Sequence, residues 1–481
     1  MHQAETPEWE QVRAAFQAIW GYPDFRPPQG DIVRSLLAGR DALVVMPTGG
    51  GKSICFQLPA LMQRGLTLVV SPLVALMENQ VQELRDRQLP AALLHSERSG
   101  LERKQVLRAL EGQSLRLLYL SPETLLSPPV WERLCRPEIG INGLILDEAH
   151  CLVQWGETFR PAYRRLGAVR SALLATKPPG ARLAIAAFTA TADPAAQRIL
   201  REVLGLRQPA IFRLNPYRAN LSPRVQVAWS PRDRRQKLVR FVQAHPGAGL
   251  VYVRTRRDSE ELSQTLRSQG FATAAYHAGL GAGDRRQIEA DWQGDRLRFV
   301  VCTNAFGMGV NKPNVRWVAH FQRPQLLSEY VQEIGRAGRD GQPAQALTLV
   351  SEPTGWLDPS DRQRQAFFAG QIQERYRSAQ ALLSQIPRQG RVEEVSKRFP
   401  DGAIALALLH SAGLLRWRSP FEYTLHGTAK ALTPPASAQD MTVYLKSRQC
   451  RWRSLLQGFG FDQEATDFRC GHCDNCQRSR P

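Results

Sequence analysis

Three consecutive glycines precede Lys52 and Ser53 in "MPTGGGKSICFQLPA", and the apolar run "GLILDEAH" ends in Asp147 and Glu148. A glycine turn that opens a helix directs backbone N–H groups at phosphate, and the helix N-terminus adds partial positive charge. Read this way, Thr48, Gly49, Gly50 and Gly51 wrap the phosphates, Lys52 reaches the β and γ groups, and Ser53 ligates Mg²⁺. Asp147 then holds the same ion through water, and Glu148 orients or deprotonates an attacking water. Farther on, "SEYVQEIGRAGRDG" sets Arg336 and Arg339 three positions apart, with Gln332 just upstream. On a helix the two arginines share a face, and either could neutralise γ-phosphate charge, an effect worth about 10³ to 10⁵ in rate. A separate chemistry sits near the C-terminus. Cys450, Cys470, Cys473 and Cys476 offer one distant thiol and three at C-x-x-C spacing, enough to close a tetrahedron around Zn²⁺. That predicts a folding role, not a catalytic one. Cys55, Cys135, Cys151 and Cys302 lie in apolar or motif contexts and read as ordinary small side chains.

The acids are joined without a linker to "HCLVQWGETFRPAY", which carries Trp155, Phe159, Arg160 and Tyr163. Acids suit a metal and a water; aromatics with arginine suit something flat and anionic. Stacking a base on such a ring is worth roughly 1–3 kcal/mol and tolerates any sequence.

These residues need strand ends to hold them. "DALVVMP", "LTLVVSP", "LRLLYLSP", "INGLILDE" and "LAIAAFTAT" alternate with helical patterns from about 40 to 210. Short apolar runs of this kind read as parallel strands buried on both faces, with active residues at their C-terminal ends. "NPYRANLSP" (215–223) reads as a boundary, and "GLVYVRT", "ATAAYHAG", "LRFVVCT", "VRWVAHFQ" and "QALTLVS" form a second set. The fold class is therefore α/β, with two tandem parallel-sheet domains, residues 1–212 and 213–350. A polar helix fills 351–390, a winged-helix-like insert 391–438, and the cysteine segment 439–481.

Composition narrows the partner. Lys and Arg total 63 against 44 Asp and Glu, a formal charge of +19, which favours a polyanion. No apolar run approaches the roughly 20 residues needed to span a bilayer, and the N-terminus does not read as a signal peptide. The expected setting is the cytoplasm, with cysteines reduced and free for metal.

Together these motifs resemble the RecQ family of superfamily 2 helicases over nearly the whole chain. "WGYPDFRPPQ" is similar to the family's adenine-reading segment, which implies that Tyr22, Arg26 and Gln29 hold the base. "MPTGGGKS" is similar to motif I in its superfamily 2 form, where Met46 is no objection, and "DEAH" to motif II. "VVSPLVALMENQV" and "LYLSPETLL" resemble segments that touch the DNA backbone, and "FTATAD", "CTNAFGMGVNKPNVR" and "QEIGRAGRDG" resemble motifs III, V and VI. The resemblance implies that the aromatic loop senses single-stranded DNA and reports to the acids, with His150, Trp155, Phe159, Arg160, Thr189 and Thr191 in contact or coupling roles. It implies an ATP-dependent 3′→5′ DNA helicase in repair and recombination, using ATP, Mg²⁺ and Zn²⁺. The expected partners are single-stranded DNA, 3′-tailed duplex and a single-stranded-DNA-binding protein. A nucleoid-associated monomer is expected. The alternatives are an RNA helicase, a DNA-stimulated translocase with little unwinding, and a non-catalytic DNA-binding regulator.

The pattern departs from the family in two ways. The winged-helix-like segment precedes the last zinc ligands, and a short form without an HRDC domain is expected. Within the insert, "RWRSPFEY" reads either as a substitute DNA contact through Arg416, Trp417 and Arg418 or as a stiffening element.

Overall fold

The computed structural model describes residues 7–47, 49–95, 98–154, 156, 160–306, 312–426, 432 and 439–478. The chain divides into two compact units, Met1–Leu214 with Ile372–Pro434, and Asn215–Gln371 with Pro435–Pro481.

In the first unit seven strands form one parallel sheet. They are β1 (Ala42–Val45), β2 (Leu66–Val70), β3 (Ala91–Leu94), β4 (Leu117–Leu120), β5 (Ile141–Leu146), β6 (Ala184–Thr189) and β7 (Ala210–Arg213). Their order is β3-β4-β2-β5-β6-β1-β7. Along β1, Leu43 and Val45 enter one apolar core and Ala42 and Val44 the other. That is why the strands read as unbroken apolar runs with no alternation. The edge strands β3 and β7 were not among the runs read from the sequence; β3 is a short buried AALL run, and β7 alternates half-buried and exposed residues. A buried hub ties the sheet base together. Asp41 accepts both Nη1 contacts of Arg170, at 2.8 and 2.7 Å, and the N–H groups of Ile185 and Arg207.

The second unit holds β8 (Leu221–Ala228), β9 (Ala248–Tyr252), β10 (Thr273–Tyr276), β11 (Phe299–Cys302), β12 (Val315–His320) and β13 (Ala344–Ser351). These are again all parallel, in the order β10-β11-β9-β12-β13-β8. The segment 215–223 runs into the outermost strand, β8, where Pro223 is tolerated because an edge strand need not donate on both sides. The cysteine segment covers that edge. Trp452 Nε1 donates to Leu221 O at 3.0 Å, and Asp474 accepts the N–H of Val225 at 3.2 Å. Trp452, Leu455, Leu456 and Phe459 join the same apolar core as Leu250 and Val318. An open row of backbone groups is thereby closed to other chains.

The helix Ser360–Leu383 carries the chain from the second unit back to the first. There β14 (Gln389–Arg391), two helices (Val392–Arg398 and Gly402–Ser411), β15 (Leu415–Ser419) and β16 (Glu422–Leu425) follow one another. The strands pair antiparallel in the order β14-β16-β15, a winged-helix-like arrangement. Among the described residues, no helix is long and apolar enough to cross a membrane.

Candidate active site and metal centre

The phosphate-loop candidates sit between β1 and the helix Lys52–Met62. Gly49 and Gly51 have φ of +84° and +74°, the left-handed region that glycine enters without strain. Gly51 has a second constraint, because a Cβ there would lie 2.4 Å from Gln29 Nε2. Gln29 donates to Gly50 O at 3.0 Å and accepts the N–H of Arg26 at 2.9 Å. Its amide, expected to read a base, is thus engaged by the loop and by Arg26. Tyr22 and Arg26 are exposed, and Ser53 is half-buried in the first helical turn. Thr48 lies outside the described residues.

The acids arrive on β5, two places from β1 with β6 between them. All three strands run parallel, so their carboxyl ends share one edge of the sheet. Lys52 Nζ stands 3.9 Å from Glu148 Oε1 and, buried, has no hydrogen-bond acceptor among the described residues. A buried ammonium without an acceptor is costly, and phosphate oxygens supply what it lacks, so the pocket fits a triphosphate. Asp147 is buried, accepts from Gln80 Nε2 at 3.1 Å and from the N–H of Glu148 at 3.0 Å. Burial and then the adjacent Glu148 push its carboxyl up to about 6, against the pull of Lys52. A divalent cation there would relieve that repulsion, so the donor set fits Mg²⁺. Glu148 itself holds φ of +50°, a backbone strain on the order of 1–2 kcal/mol for a non-glycine residue.

From Glu148 a buried polar chain leads to β6. His150 Nδ1 lies 3.3 Å from Glu148 Oε2 and 3.1 Å from Thr189 Oγ1. Thr189 Oγ1 in turn accepts the N–H of Thr191 at 3.2 Å. Sequence reasoning missed Gln80, whose role comes only from the neighbouring strand order.

The loop after the acids begins with the helix His150–Gln154 and ends in the 3₁₀ stretch Pro161–Ala168. Trp155 and Phe159 lie outside the described residues. Arg160 is near Glu123, with Nε 3.9 Å from Oε1. Tyr163, grouped by sequence with the stacking aromatics, is fully buried in the first unit's core and cannot stack on a base. A tyrosine beside Pro161 and Ala162 packs downward, because the 3₁₀ stretch turns that face onto the sheet.

In the second unit, Gln332 lies on the helix Leu327–Ile334. Arg336 and Arg339 do not share a helical face as expected. The helix stops at Ile334, and both arginines follow in turns broken by Gly338 at φ +60°. Arg336 is buried beside the hydroxyl of Tyr252. The helix is pinned by Glu333, which takes two contacts from Arg254 (3.2 and 3.0 Å) and one from His320 (2.9 Å). Burial alone would raise the Glu333 carboxyl, but Arg254 and His320 outweigh it and hold it low. Neither Arg254 nor His320 had a sequence signal, since each lies at the end of a buried strand far from the motif.

The Sγ atoms of Cys450, Cys470, Cys473 and Cys476 all lie within 4.8 Å of one another, and none forms a disulfide. Four sulfurs about 2.3 Å from Zn²⁺ would stand in this range. Backbone N–H groups of Cys470, Cys473, Cys476 and Arg451 already point at the sulfurs of Cys450, Cys470, Cys473 and Cys473, at 3.3 to 3.4 Å. Thiols this close interfere: bonds from Cys470 and Cys473 hold the Cys450 thiol well below its ordinary range, while Cys470 is pushed up. A cation resolves that conflict. Arg451 and Asp474, both buried, pair at 2.9 and 3.0 Å behind the ligands. Cys55, Cys151 and Cys302 are buried; burial pushes the Cys55 thiol up to about 12.

Comparison with known proteins gives three family matches: DEAD/DEAH box helicase over residues 26–199, helicase conserved C-terminal domain over 233–341, and RecQ zinc-binding over 429–477. The chain is 53% identical over 472 residues to the ATP-dependent DNA helicase RecQ of Synechocystis, covering 97% of this chain and 98% of that one. It is 40% identical over 347 residues to RecQ of Haemophilus influenzae, covering 72% of this chain and 54% of that one. Among solved structures, Mycobacterium smegmatis helicase Lhr bound to ssDNA and AMP-PNP aligns with a TM-score of 0.56 at 20% identity, over 90% of this chain and 61% of that one. The helicase MrfA bound to DNA aligns with a TM-score of 0.59 at 16% identity, over 89% of this chain and 64% of that one. At such identities these two speak to the fold alone.

Proposed function

This chain belongs to the RecQ family of ATP-dependent DNA helicases, and from that premise we propose how its own residues carry the activity. ATP hydrolysis drives 3′→5′ movement on single-stranded DNA and opens the duplex ahead. Gly49 to Gly51 and Lys52 bind the triphosphate, Ser53 and Asp147 hold Mg²⁺, and Glu148 positions the attacking water. When bound, the ion neutralises charge on the β and γ phosphates. In the second unit, Arg336 and Arg339 serve hydrolysis through their positive charge and Gln332 through its neutral amide. Tyr22 and Arg26 border the base, and Gln29 contributes by leaving its contact with Gly50. The aromatic loop, with Trp155, Phe159 and Arg160, senses the strand, and His150, Thr189 and Thr191 relay that state to Glu148.

The observation that carries this reading is the row at one sheet edge: Lys52, Glu148, His150 and Thr189, linked at 3.9, 3.3 and 3.1 Å. These distances support reading Lys52 as the nucleotide-binding lysine and Glu148 as the water-positioning acid, with His150 opening the segment that leads to the loop. The cellular substrate is nucleoid DNA in repair and recombination, the working form is a monomer, and a single-stranded-DNA-binding protein is its companion on that DNA.

The test is unwinding of 3′-tailed and 5′-tailed duplexes with ATP, beside Lys52→Ala. Opening of the 3′-tailed duplex alone, lost in the variant, is the expected result. Preference for a 5′ tail would refute the polarity, and full unwinding by Lys52→Ala would refute the site.

A further inference from the structure

A winged helix that reads DNA uses its second helix in the major groove and its wing on the backbone, and both need polar or basic faces. In this insert the second helix is largely apolar, while β15 exposes Arg416 and Arg418. The second helix, Gly402–Ser411, reads GAIALALLHS, with Ala405, Leu406, Ala407, Leu408 and Leu409 all buried. A helix apolar all round is a packed helix. One side faces the insert's own core, with Val392, Val395, Leu415 and Tyr423. The other lies against the 3₁₀ stretch Pro161–Ala168 of the same unit.

The wing is also occupied. The turn between β15 and β16 presents Pro420 and Phe421. Phe421, half-buried, packs against the core of the sheet and meets Trp131 edge-to-face, with ring centroids 5.1 Å apart. Pro420 O accepts from Arg165 Nη1 at 3.3 Å. Arg165 belongs to the 3₁₀ stretch, and burial lowers its guanidinium to about 10. The stretch is fixed from its other side too. A Cβ on Gly167 would stand 1.8 Å from Val203 O, so the helix Pro194–Val203 lies directly against it.

Pro161–Ala168 is the C-terminal stem of the sensing loop, whose N-terminal stem continues from Glu148. We propose that the insert is a positioning module for that loop and not a DNA reader: Phe421 and the helix Gly402–Ser411 clamp the far stem. The inference rests on the loop reading given above. A loop tethered at both ends can pass an ordering event to either one. With the far stem held between the insert and the helix Pro194–Val203, the displacement goes to the acids. Releasing the clamp lets the stem absorb it.

The experiment uses the full chain. Phe421→Ala removes the ring from Trp131, and Arg165→Ala removes the bond to Pro420, with Arg165→Lys as the conservative variant. ATP turnover is measured with and without saturating oligo-dT, beside KM for ATP and melting temperature. We expect DNA-stimulated kcat to fall about fivefold, the equivalent of roughly 1 kcal/mol of coupling. Basal kcat and KM should stay within about twofold, and Arg165→Lys should recover most of the loss. Unchanged stimulation in Phe421→Ala and Arg165→Ala overturns the proposal, as does a proportional fall in basal and stimulated rates. A charge reversal, Arg416→Glu with Arg418→Glu, probes the exposed face of β15; a loss of duplex affinity above about tenfold would make the insert a DNA contact and also overturn it. Trp155→Ala separates the two levels. Stimulation intact in that variant defeats the loop reading itself, whereas stimulation lost there but intact in Phe421→Ala defeats the clamp alone.

Discussion

Lys52 and Gly51 make different demands on one loop. Lys52→Ala removes the buried cation proposed to meet phosphate, and ATP turnover should fall by at least about 100-fold in a steady-state assay. Gly51→Ala should do similar damage for a steric reason: φ of +74° strains any side chain, and the new methyl meets Gln29. A turnover in Gly51→Ala near that of the parent would show that the loop need not adopt this shape. His410 allows a pH prediction. Burial, and then Arg164 of the 3₁₀ stretch, lower it from its ordinary 6.5 to about 4; the Trp417 ring flanks it from β15. Its folded value is below its unfolded one, so its contribution is present above pH 6.5 and is lost as pH falls through 4. Thermal melts at stepped pH should therefore show a drop across that window that His410→Gln reduces. An unchanged pH profile in the variant would assign the drop to other groups.

At the scale of elements, the cysteine segment is a cover for β8 as much as a metal site. Metal binding energy in small zinc domains is folding energy, on the order of 10–16 kcal/mol in isolated finger peptides. Cys473→Ser, or strong chelation, should expose the β8 edge and lower the melting temperature. Aggregation should follow, because unpaired strand edges invite pairing. Metal analysis should find one zinc per chain in the parent; well under one would remove the basis of this argument. Arg451→Ala offers an independent check, since it leaves the buried Asp474 carboxylate without its partner. Such losses cost about 3–5 kcal/mol. A melting temperature within a degree of the parent would mean that the pair contributes little.

For the whole molecule, charge and chain path matter most. A formal charge of +19 predicts single-strand affinity that weakens steeply with salt. Log K should fall by about 0.7 per log unit of salt for each phosphate neutralised, so a footprint of six phosphates gives a slope near −4. A slope near zero in fluorescence anisotropy titrations would mean that the basic surface does not meet the backbone. Each unit is also assembled from two separated chain segments, with the insert returning to the first unit and the cysteine segment to the second. Those long-range closures should make folding slow for the chain's size, because loop entropy must be overcome before distant contacts form.

Local sequence made the candidate chemistry and most of the scaffold legible. Glycines before Lys52, acids at a strand end and C-x-x-C thiols are local patterns, each dictated by what phosphate or metal requires nearby. Strands buried on both faces are equally legible, because nearly all of their residues are apolar. Tertiary structure decided what depends on distant neighbours. Gln80 reaches Asp147 and Arg254 reaches Glu333 only because the strand order brings them there. Tyr163 is core and not a stacking platform because the 3₁₀ stretch turns it inward, and Arg336 and Arg339 share no helical face because the helix ends at Ile334, before both. The insert is the sharpest case. Its helices and strands follow local periodicity, but an apolar second helix has a meaning only once its partner surface, Pro161–Ala168, is in place against it.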